Sequence, residues 1–335
     1  MRAILMTQTG TPEESLVLQK IPAPHITDPN HVKIKLHAAG VNPIDTKLRR
    51  NGLLYKNALP AILGCDGAGE VVEIGAAVTR MRVGDAVWFC HGGLGGEPGN
   101  YAEYTVIDQR WLAKKPETLD FRHAAAAPLV LITAWGALFE RGGLQSEQTV
   151  LIHAGAGGVG HVAIQLAKLR GARVITTVSH AQKAEFVKVL GADEVLLYPE
   201  TSWVEEVNDL TGGRGADVVL DTVGPDVFAA SIPATAHFGR LVTLLDPGAF
   251  PIAEARLRNL LIGFELMLTP MLRHLDTARA QQIAMLEQCA HWIDRGLLKI
   301  HVSQVLPLAD AAAAHRVLEL GHTQGKLVLE IDEAR

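Results

Sequence analysis

The sequence predicts an α/β chain of two domains, a doubly wound parallel sheet and a discontinuous β domain. Three observations carry that expectation. Up to Asp120 the texture is short strands punctuated by glycine and proline, the mark of a twisted, mostly antiparallel β domain. From Arg122 strand and helix patterns alternate, which requires a parallel sheet with helices on both faces. After Ala278 the closing strands return to the texture of the beginning. At 335 residues the chain also exceeds the ~250–300 residues at which a single core stops growing. Residues 1–122 and 271–335 are therefore assigned to the β domain, and 123–270 to the doubly wound one.

In chain order, Val32–His37 alternates apolar and polar residues as a half-buried strand does, and Gly69–Ile74 and Ala86–Phe89 follow between glycine-rich turns. An alanine-rich helix is expected from Arg122 through Pro128 to Leu138. Thr149–Ala154 reads as a strand and Val159–Leu169 as a helix, with Ala163, Leu166 and Ala167 on one buried face. Strands Arg173–Val178, Glu194–Leu197, Ala216–Asp221 and Gly239–Leu245 then alternate with helices Ala181–Leu190, Trp203–Thr211 and Val227–Ala234. Past Ala278 a helix runs to Arg295, and strands Ile300–Leu306 and Lys326–Ile331 flank the helix Ala309–Leu320.

Composition removes several function classes. A formal charge of −5 offers no basic field for a phosphate backbone, so nucleic acid is not an expected partner. The longest apolar candidate, Leu257–Leu268, falls short of the ~20 residues a membrane span needs and is broken by Arg258, Asn259 and Glu265. The start MRAILMTQTGTPEES has no sustained apolar run, so no secretory leader is expected. Cys65, Cys90 and Cys289 are scattered, odd in number and without CxxC spacing. They fit reduced thiols in a cytoplasmic protein rather than a disulfide framework.

The strand TVLIHA runs directly into GAGGVG (Gly155–Gly160) and then a helix. In that context the pattern reads as a Rossmann dinucleotide loop. Gly155 serves the tight turn, Gly157 lets the pyrophosphate approach, and Gly160 lets helix and strand pack. The backbone of Gly158 and Val159 belongs to the helix N-terminus, whose N–H groups face the phosphates. Sites for NAD place an acid at the end of the second strand, roughly 20 residues on, to bind the ribose 2′-OH. Here the stretch is Val178-Ser179-His180-Ala181-Gln182-Lys183, without an acid. The Ser179 hydroxyl and the Lys183 ammonium can bind a 2′-phosphate that a carboxylate would repel, so NADPH (NADP) is the expected cofactor. Ser179 as a helix cap and Lys183 as a solvated face remain the plain alternatives.

With these features in place, the chain resembles the quinone oxidoreductase, zeta-crystallin-like branch of the medium-chain dehydrogenase/reductase superfamily. The resemblance runs through AAGVNPIDTKLRRNG, LGCDGAGEVVEIG, VGDAVW, GNYAEY, AAAAPLVLITAWGAL, the glycine loop, LGAD and GKLVL, and so covers essentially the whole chain. It implies a GroES-like β domain, a Rossmann domain and an active site in the cleft between them. It further implies NADPH-dependent reduction of quinones or of the C=C bond of α,β-unsaturated carbonyls. A homodimer paired through the edge strand of the Rossmann sheet is implied too, around Gly239–Leu245 and its neighbours up to Leu268.

Zinc-dependent cousins carry ligands at positions that here hold Asn42, Cys65 and Leu129. A catalytic zinc needs about three Cys, His or carboxylate ligands, and Asn42 and Leu129 supply none, so no metal is expected. The four-cysteine structural lobe is also missing, and none of the 14 histidines stands at a matching motif position. A cluster of Cys65, Cys90 and His91 is the remaining metal alternative.

Without a metal the chemistry rests on positioning and preorganised hydrogen bonds. By the resemblance, Asn42 meets the nicotinamide end or substrate, and Asp45 orders Asn42 or a water. An ionised Asp45 would repel an enolate, so it is not assigned as the acid. Thr133 reaches the nicotinamide amide. Lys183 and Tyr198 hold the 2′-phosphate, Leu244 and Leu245 pass the nicotinamide ribose, and Lys326 of GKLVL joins the cofactor-binding set. Tyr55, Phe264, Met267 and Leu268 line the substrate pocket or dimer seam. Lys47 stands where many relatives have an aromatic ring, which favours an anionic or smaller enone over a large quinone. Two other classes stay open: an NADPH-binding protein with little turnover, and a zinc alcohol dehydrogenase.

Overall fold

In the computed structural model, which describes residues 1–198 and 200–331, the chain divides into two units. The first comprises Met1–Leu129, Pro270–Gly296 and Ile300–Arg335, and the second Val130–Thr269 with Leu297–Lys299.

The first unit is built on a long central strand, His31–Val41, whose even positions Val32, Ile34, Leu36 and Ala38 are buried. Period-two burial of this kind is what a pleated strand with one covered face demands. It pairs antiparallel with Asp66–Ile74 on one side, with Tyr104–Asp108 through its first half, and with Lys326–Glu330 through its second half. Ala86–Cys90 and Ala113–Lys114 extend the sheet beyond Asp66–Ile74, and Val302–Pro307 lies outside Lys326–Glu330, parallel to it. The register Leu327↔Val41 puts Lys326 beside the residue that follows the central strand, Asn42. A smaller antiparallel sheet joins Leu16–Lys20, Arg2–Met6 and Ala61–Ile62.

The second unit is a six-stranded, all-parallel sheet. Its strands lie in the order Glu194–Leu197, Arg173–Val178, Thr149–Ile152, Ala216–Asp221, Thr235–Thr243 and Leu261–Phe264. The direction of winding reverses at Thr149–Ile152, the switch point at which such sheets bind ligands at their carboxyl ends. Leu151, Ile175, Val219, Phe228 and Leu241 are buried around the sheet, as near-continuous apolar strands covered on both faces must be.

Three expectations are corrected. The alanine-rich helix is interrupted. Phe121–Ala125 ends, a new helix Pro128–Trp135 begins, and Gly136–Arg141 continues as a π-helical turn. Proline has no N–H to continue a helix but suits its first turn. The helix expected at Val227–Ala234 starts earlier, at Pro225, for the same reason. Gly239–Leu245 is not the sheet edge itself: Thr235–Thr243 lies one strand in, and Leu261–Phe264 forms the edge. Among the described residues no helix is long and apolar enough to cross a membrane.

Candidate active site

The carboxyl end of the second unit's first strand is shaped by what its glycines exclude. A Cβ on Gly155 would stand 2.0 Å from Thr176 Oγ1, and one on Gly160 would stand 2.4 Å from the Ala154 carbonyl oxygen. Internal packing therefore forbids a side chain at both. At Gly157 a Cβ would meet only the Ala154 oxygen, at 3.2 Å. That contact is tight but nothing else lies within 4 Å, so the position is a seat bare on its other side. Ala154 enters this turn with φ of 50°, a conformation non-glycine residues rarely adopt. Its N–H donates to Thr177 Oγ1 at 3.2 Å. The helix Gly158–Leu169 starts immediately, with no side-chain cap from Gly157, and its first N–H groups point outward as at any helix start.

The adjoining strand Arg173–Val178 ends in Ser179, whose hydroxyl is buried and has no hydrogen-bond partner. An orphaned buried hydroxyl is costly unless a ligand completes it. Lys183 follows on the next helix, half-buried, and its partial desolvation pushes the ammonium pKa down, which an adjacent anion would reverse. Tyr198 is half-exposed just past Glu194–Leu197, and its N–H donates to the Val178 oxygen at 3.2 Å. Asp221 organises the neighbouring strand end. It accepts N–H groups of Val223 and Gly224 and the Thr243 hydroxyl, while the Leu244 N–H donates to its carbonyl. Leu244 and Leu245 are thereby held at the same carboxyl edge as the glycine turn.

A Ser–His contact beside this turn is structural. Ser231 Oγ donates to the Val227 oxygen at 2.6 Å, so His153 Nε2, 3.0 Å away, must be the donor to Ser231. Burial drives the His153 pKa down to about 3, and a neutral imidazole whose partner's proton points elsewhere cannot activate a nucleophile. The cavity of about 280 Å³ lined by Gln148, Asp217, Gly239 and Arg240 lies at the amino ends of the strands. It is therefore at the opposite end of the sheet from the glycine turn, and the turn, where the backbone donors converge, is the better site.

The first unit contributes a buried polar cluster. Asn42, Asp45 and Asp66 are fully buried and Lys326 nearly so. Lys326 Nζ donates to the Val41 oxygen at 2.9 Å and to Asn42 Oδ1. Asn42 Nδ2 donates to Asp66 Oδ2 at 2.9 Å, and the Leu129 N–H donates to Asp66 Oδ1 at 2.8 Å. An ammonium can only donate and a carboxylate accepts, so the Asn42 amide orientation is set by its partners. Asn42 also begins the helix Pro43–Asn51, and its N–H donates to Asp45 Oδ2 at 2.9 Å, half of a capping box. Tyr101 OH reaches the same Asp45 oxygen at 3.0 Å and lies 3.3 Å from His315 Nε2. Burial pushes Asp45 up to about 7 and Asp66 up to about 6, and desolvation lowers Lys326.

The structure thus gathers Asn42, Asp45 and Lys326 in the first unit. It gathers the glycine loop, Ser179, Lys183, Tyr198, Leu244 and Leu245 along one sheet edge of the second. Thr133 is buried on Pro128–Trp135, and Met267 and Leu268 are buried in the second unit, where Phe264 is exposed. Lys47 is exposed on Pro43–Asn51, and exposed Tyr55 stands against Gly96. Sequence reasoning missed Asp66, Tyr101, Asp221 and His315. The first two lie within LGCDGAGEVVEIG and GNYAEY, where their burial could have been suspected; His315 sits in an ordinary amphipathic helix and carries no such signal.

In the alternative metal cluster His91 has no free ring nitrogen. Arg279 Nη2 meets His91 Nδ1 at 2.7 Å and Glu97 Oε2 meets Nε2 at 2.9 Å, so both imidazole nitrogens are engaged. Among the described residues no group of three His, Cys, Asp or Glu side chains is arranged to hold a metal.

Comparison with known proteins places these features in a family. Residues 28–117 match the model of the alcohol dehydrogenase GroES-like domain and residues 190–329 that of zinc-binding dehydrogenase. A quinone oxidoreductase of Pseudomonas aeruginosa is 37% identical over 90% of this chain and 91% of its own length. The solved Escherichia coli quinone oxidoreductase complexed with NADPH superposes with a TM-score of 0.87 at 30% identity, covering 99% of this chain and 100% of that one.

 An alcohol dehydrogenase superfamily protein from Novosphingobium aromaticivorans superposes with a TM-score of 0.91 at 34% identity, over 99% of this chain and 100% of that one. Identity at this level over nine-tenths of both chains means that the chain belongs to the quinone oxidoreductase branch of the medium-chain dehydrogenase/reductase superfamily.

Proposed function

We propose that the protein is an NADPH-dependent reductase that delivers a hydride to a quinone or to the C=C bond of an α,β-unsaturated carbonyl, without a metal. The observation that carries the reading is the bare seat at Gly157 together with the unpartnered Ser179 hydroxyl at the end of the adjoining strand. One suits a pyrophosphate and the other a 2′-phosphate. The N–H groups of Gly158, Val159 and Gly160 take the pyrophosphate, and Ser179, Lys183 and Tyr198 take the 2′-phosphate. The backbone at Leu244 and Leu245 flanks the nicotinamide ribose, and the Thr133 hydroxyl meets the nicotinamide amide. When bound, NADPH supplies the hydride. The relative solved with NADPH supports the choice of cofactor.

The reading without a metal is supported by what stands at the zinc-ligand positions of the cousins. Asn42 there accepts a hydrogen bond from the Lys326 ammonium and donates one to Asp66, so a protein cation already balances that cluster. The network holds Asn42 in one orientation, the kind of preorganisation that stabilises developing charge. Leu261 and Phe264 are 59% and 58% exposed on the edge strand. An apolar edge of this kind invites pairing, and it supports a homodimer formed there. A cytoplasmic location follows from the scattered thiols.

The test is NADPH consumption with 1,2-naphthoquinone and with a simple enone, together with metal analysis and activity after chelation. Steady turnover that survives chelation is expected. Saturable NADPH binding without consumption would convert the reading to a binding protein, and a stoichiometric zinc needed for activity would convert it to an alcohol dehydrogenase. Comparing Lys47→Tyr with the parent on quinone and enone panels tests acceptor preference: the variant is expected to gain on large quinones, and identical profiles would remove that role for Lys47.

A further inference from the structure

The cluster in the first unit contains two carboxyls, Asp45 and Asp66, and one ammonium, Lys326. Lys326 acts chiefly on Asp66 and only weakly on Asp45, leaving Asp45 as the carboxyl with the weaker countercharge. Its Oδ2 accepts from the Asn42 N–H and the Tyr101 O–H, whereas its Oδ1 is buried with no partner. At the other end, beyond Tyr101, His315 Nδ1 is likewise buried with no partner. A hydrogen-bonded chain of three titratable groups therefore ends in an unsatisfied polar atom on both sides. Buried groups of this kind are rarely left unsatisfied without a role.

Resting on the reductase reading above, we propose that Asp45, Tyr101 and His315 form a proton relay that supplies the proton accompanying hydride transfer, taken in at His315 Nδ1 and released at Asp45 Oδ1. In the resting arrangement His315 Nε2–H donates to the Tyr101 oxygen, Tyr101 O–H donates to Asp45 Oδ2, and Asp45 Oδ1 carries the proton. The electron pair that reduces the acceptor comes from NADPH as hydride. The Oδ1–H bond of Asp45 then breaks and its proton goes to the oxyanion of the reduced acceptor. The Tyr101 proton moves to Asp45 Oδ2, the His315 Nε2 proton moves to the Tyr101 oxygen, and a proton from water admitted by local opening of the helix Ala311–Leu320 binds the buried His315 Nδ1. Rotation of the carboxyl and exchange with solvent at His315 reset the chain. One proton is passed along, and no residue is oxidised or reduced.

The surroundings suit each member. Asp45 faces Asn42, Tyr101, Asp66, Lys326 and, at longer range, Cys65. Burial outweighs the hydrogen bonds it accepts and raises it to about 7, so a large share is protonated near neutrality. Tyr101 faces Asp45, Asp66, Cys65 and His315, and is pushed well above the ordinary phenol value, so its oxygen keeps a proton to pass on. His315 faces Tyr101, Arg49 and Glu319. Burial, aided by Arg49 and opposed by Glu319, lowers it to about 4, leaving a neutral imidazole able to donate at one nitrogen and accept at the other.

Two measurements test the relay. The first needs no turnover: infrared titration of the intact protein should show the carbonyl band of a protonated carboxyl that is lost around neutral pH, and Asp45→Asn should abolish it. A parent carboxyl already ionised well below neutrality would overturn the proposal whatever the activity. The second is the pH profile and solvent deuterium isotope effect of NADPH-driven reduction. General acid transfer is worth about 10²-fold or more, so Tyr101→Phe and His315→Gln should lower kcat on that order, with KM little changed and the loss greatest above neutral pH. Unchanged pH profiles and isotope effects in both variants would overturn it. If the parent consumes no NADPH with any acceptor, the reductase reading fails, and the infrared result still decides whether Asp45 stores a proton.

Discussion

The glycine turn of the second unit and the buried cluster of the first are opposite solutions to building a site. The turn lies within six consecutive residues, Gly155–Gly160, and works through backbone that side chains would block. The cluster draws on segments as far apart as Asn42 and Lys326, which are 284 residues apart, and works through side-chain charge taken out of water. In the turn, shape decides what binds. In the cluster, the balance of two carboxyls against one ammonium decides where a proton sits. The lesson is that a local site tolerates change around it, whereas an assembled one depends on every member.

The largest expected effect breaks the cluster. Lys326→Met removes the ammonium and leaves Asp66 buried without its countercharge, which should cost about 3–5 kcal/mol of stability in denaturant unfolding. The loss should be larger at pH 8 than at pH 5, because Asp66 can protonate in acid. A change below about 1 kcal/mol at both pH values would show that the pair is not the anchor of the cluster.

Asp45 offers a sharper test of the same region. Its pKa is raised on folding, from 3.8 to about 7, so its contribution to stability is fully present below the unfolded value. It is lost as pH rises through the folded value. The parent should therefore lose stability between about pH 4 and about pH 7 relative to Asp45→Asn, the reverse of a salt-bridged carboxylate. Urea midpoints across that range measure it, and parallel curves for the two proteins would refute the raised pKa.

The turn predicts a split between neighbours. Gly155→Ala drives a methyl against Thr176 Oγ1, which is itself held by donating to the Ile152 oxygen at 2.7 Å, so about 1–3 kcal/mol of stability should be lost. Gly157→Ala meets little inside the protein and should stay within about 0.5 kcal/mol of the parent. Its NADPH affinity should nonetheless fall by about tenfold, or 1.4 kcal/mol. Equal effects at the two positions would remove the seat. The smallest effect is at the half-buried Lys183. Lys183→Ala should weaken NADPH by about 1 kcal/mol while leaving NADH unchanged, as titration with each cofactor would read.

The two regions also differ in how far they were legible. The strand, the six-residue turn and the helix that follow one another around Gly155 are written contiguously, so periodicity and glycine spacing were enough to place them. Helix starts at Pro128 and Pro225 were misjudged because apolar periodicity runs through a proline that the backbone cannot ignore. Asn42 and Asp45 were recognisable, yet the objection that an ionised Asp45 would repel an enolate assumed ordinary ionisation. Burial, with the charge of Asp66 adding to it, raises its pKa against the hydrogen bonds from Asn42 and Tyr101. His315 was invisible because nothing in its own helix records that its ring meets Tyr101.

By itself the sequence determined the class of fold, the family and the glycine turn between strand and helix, because each depends on interactions between residues close along the chain. Tertiary structure alone decided which carboxyl pairs with Lys326, which hydroxyl is left without a partner, and which carboxyls burial pushes up in pKa. Those properties depend on desolvation and distance among residues far apart in sequence, and neither quantity exists until the chain has folded.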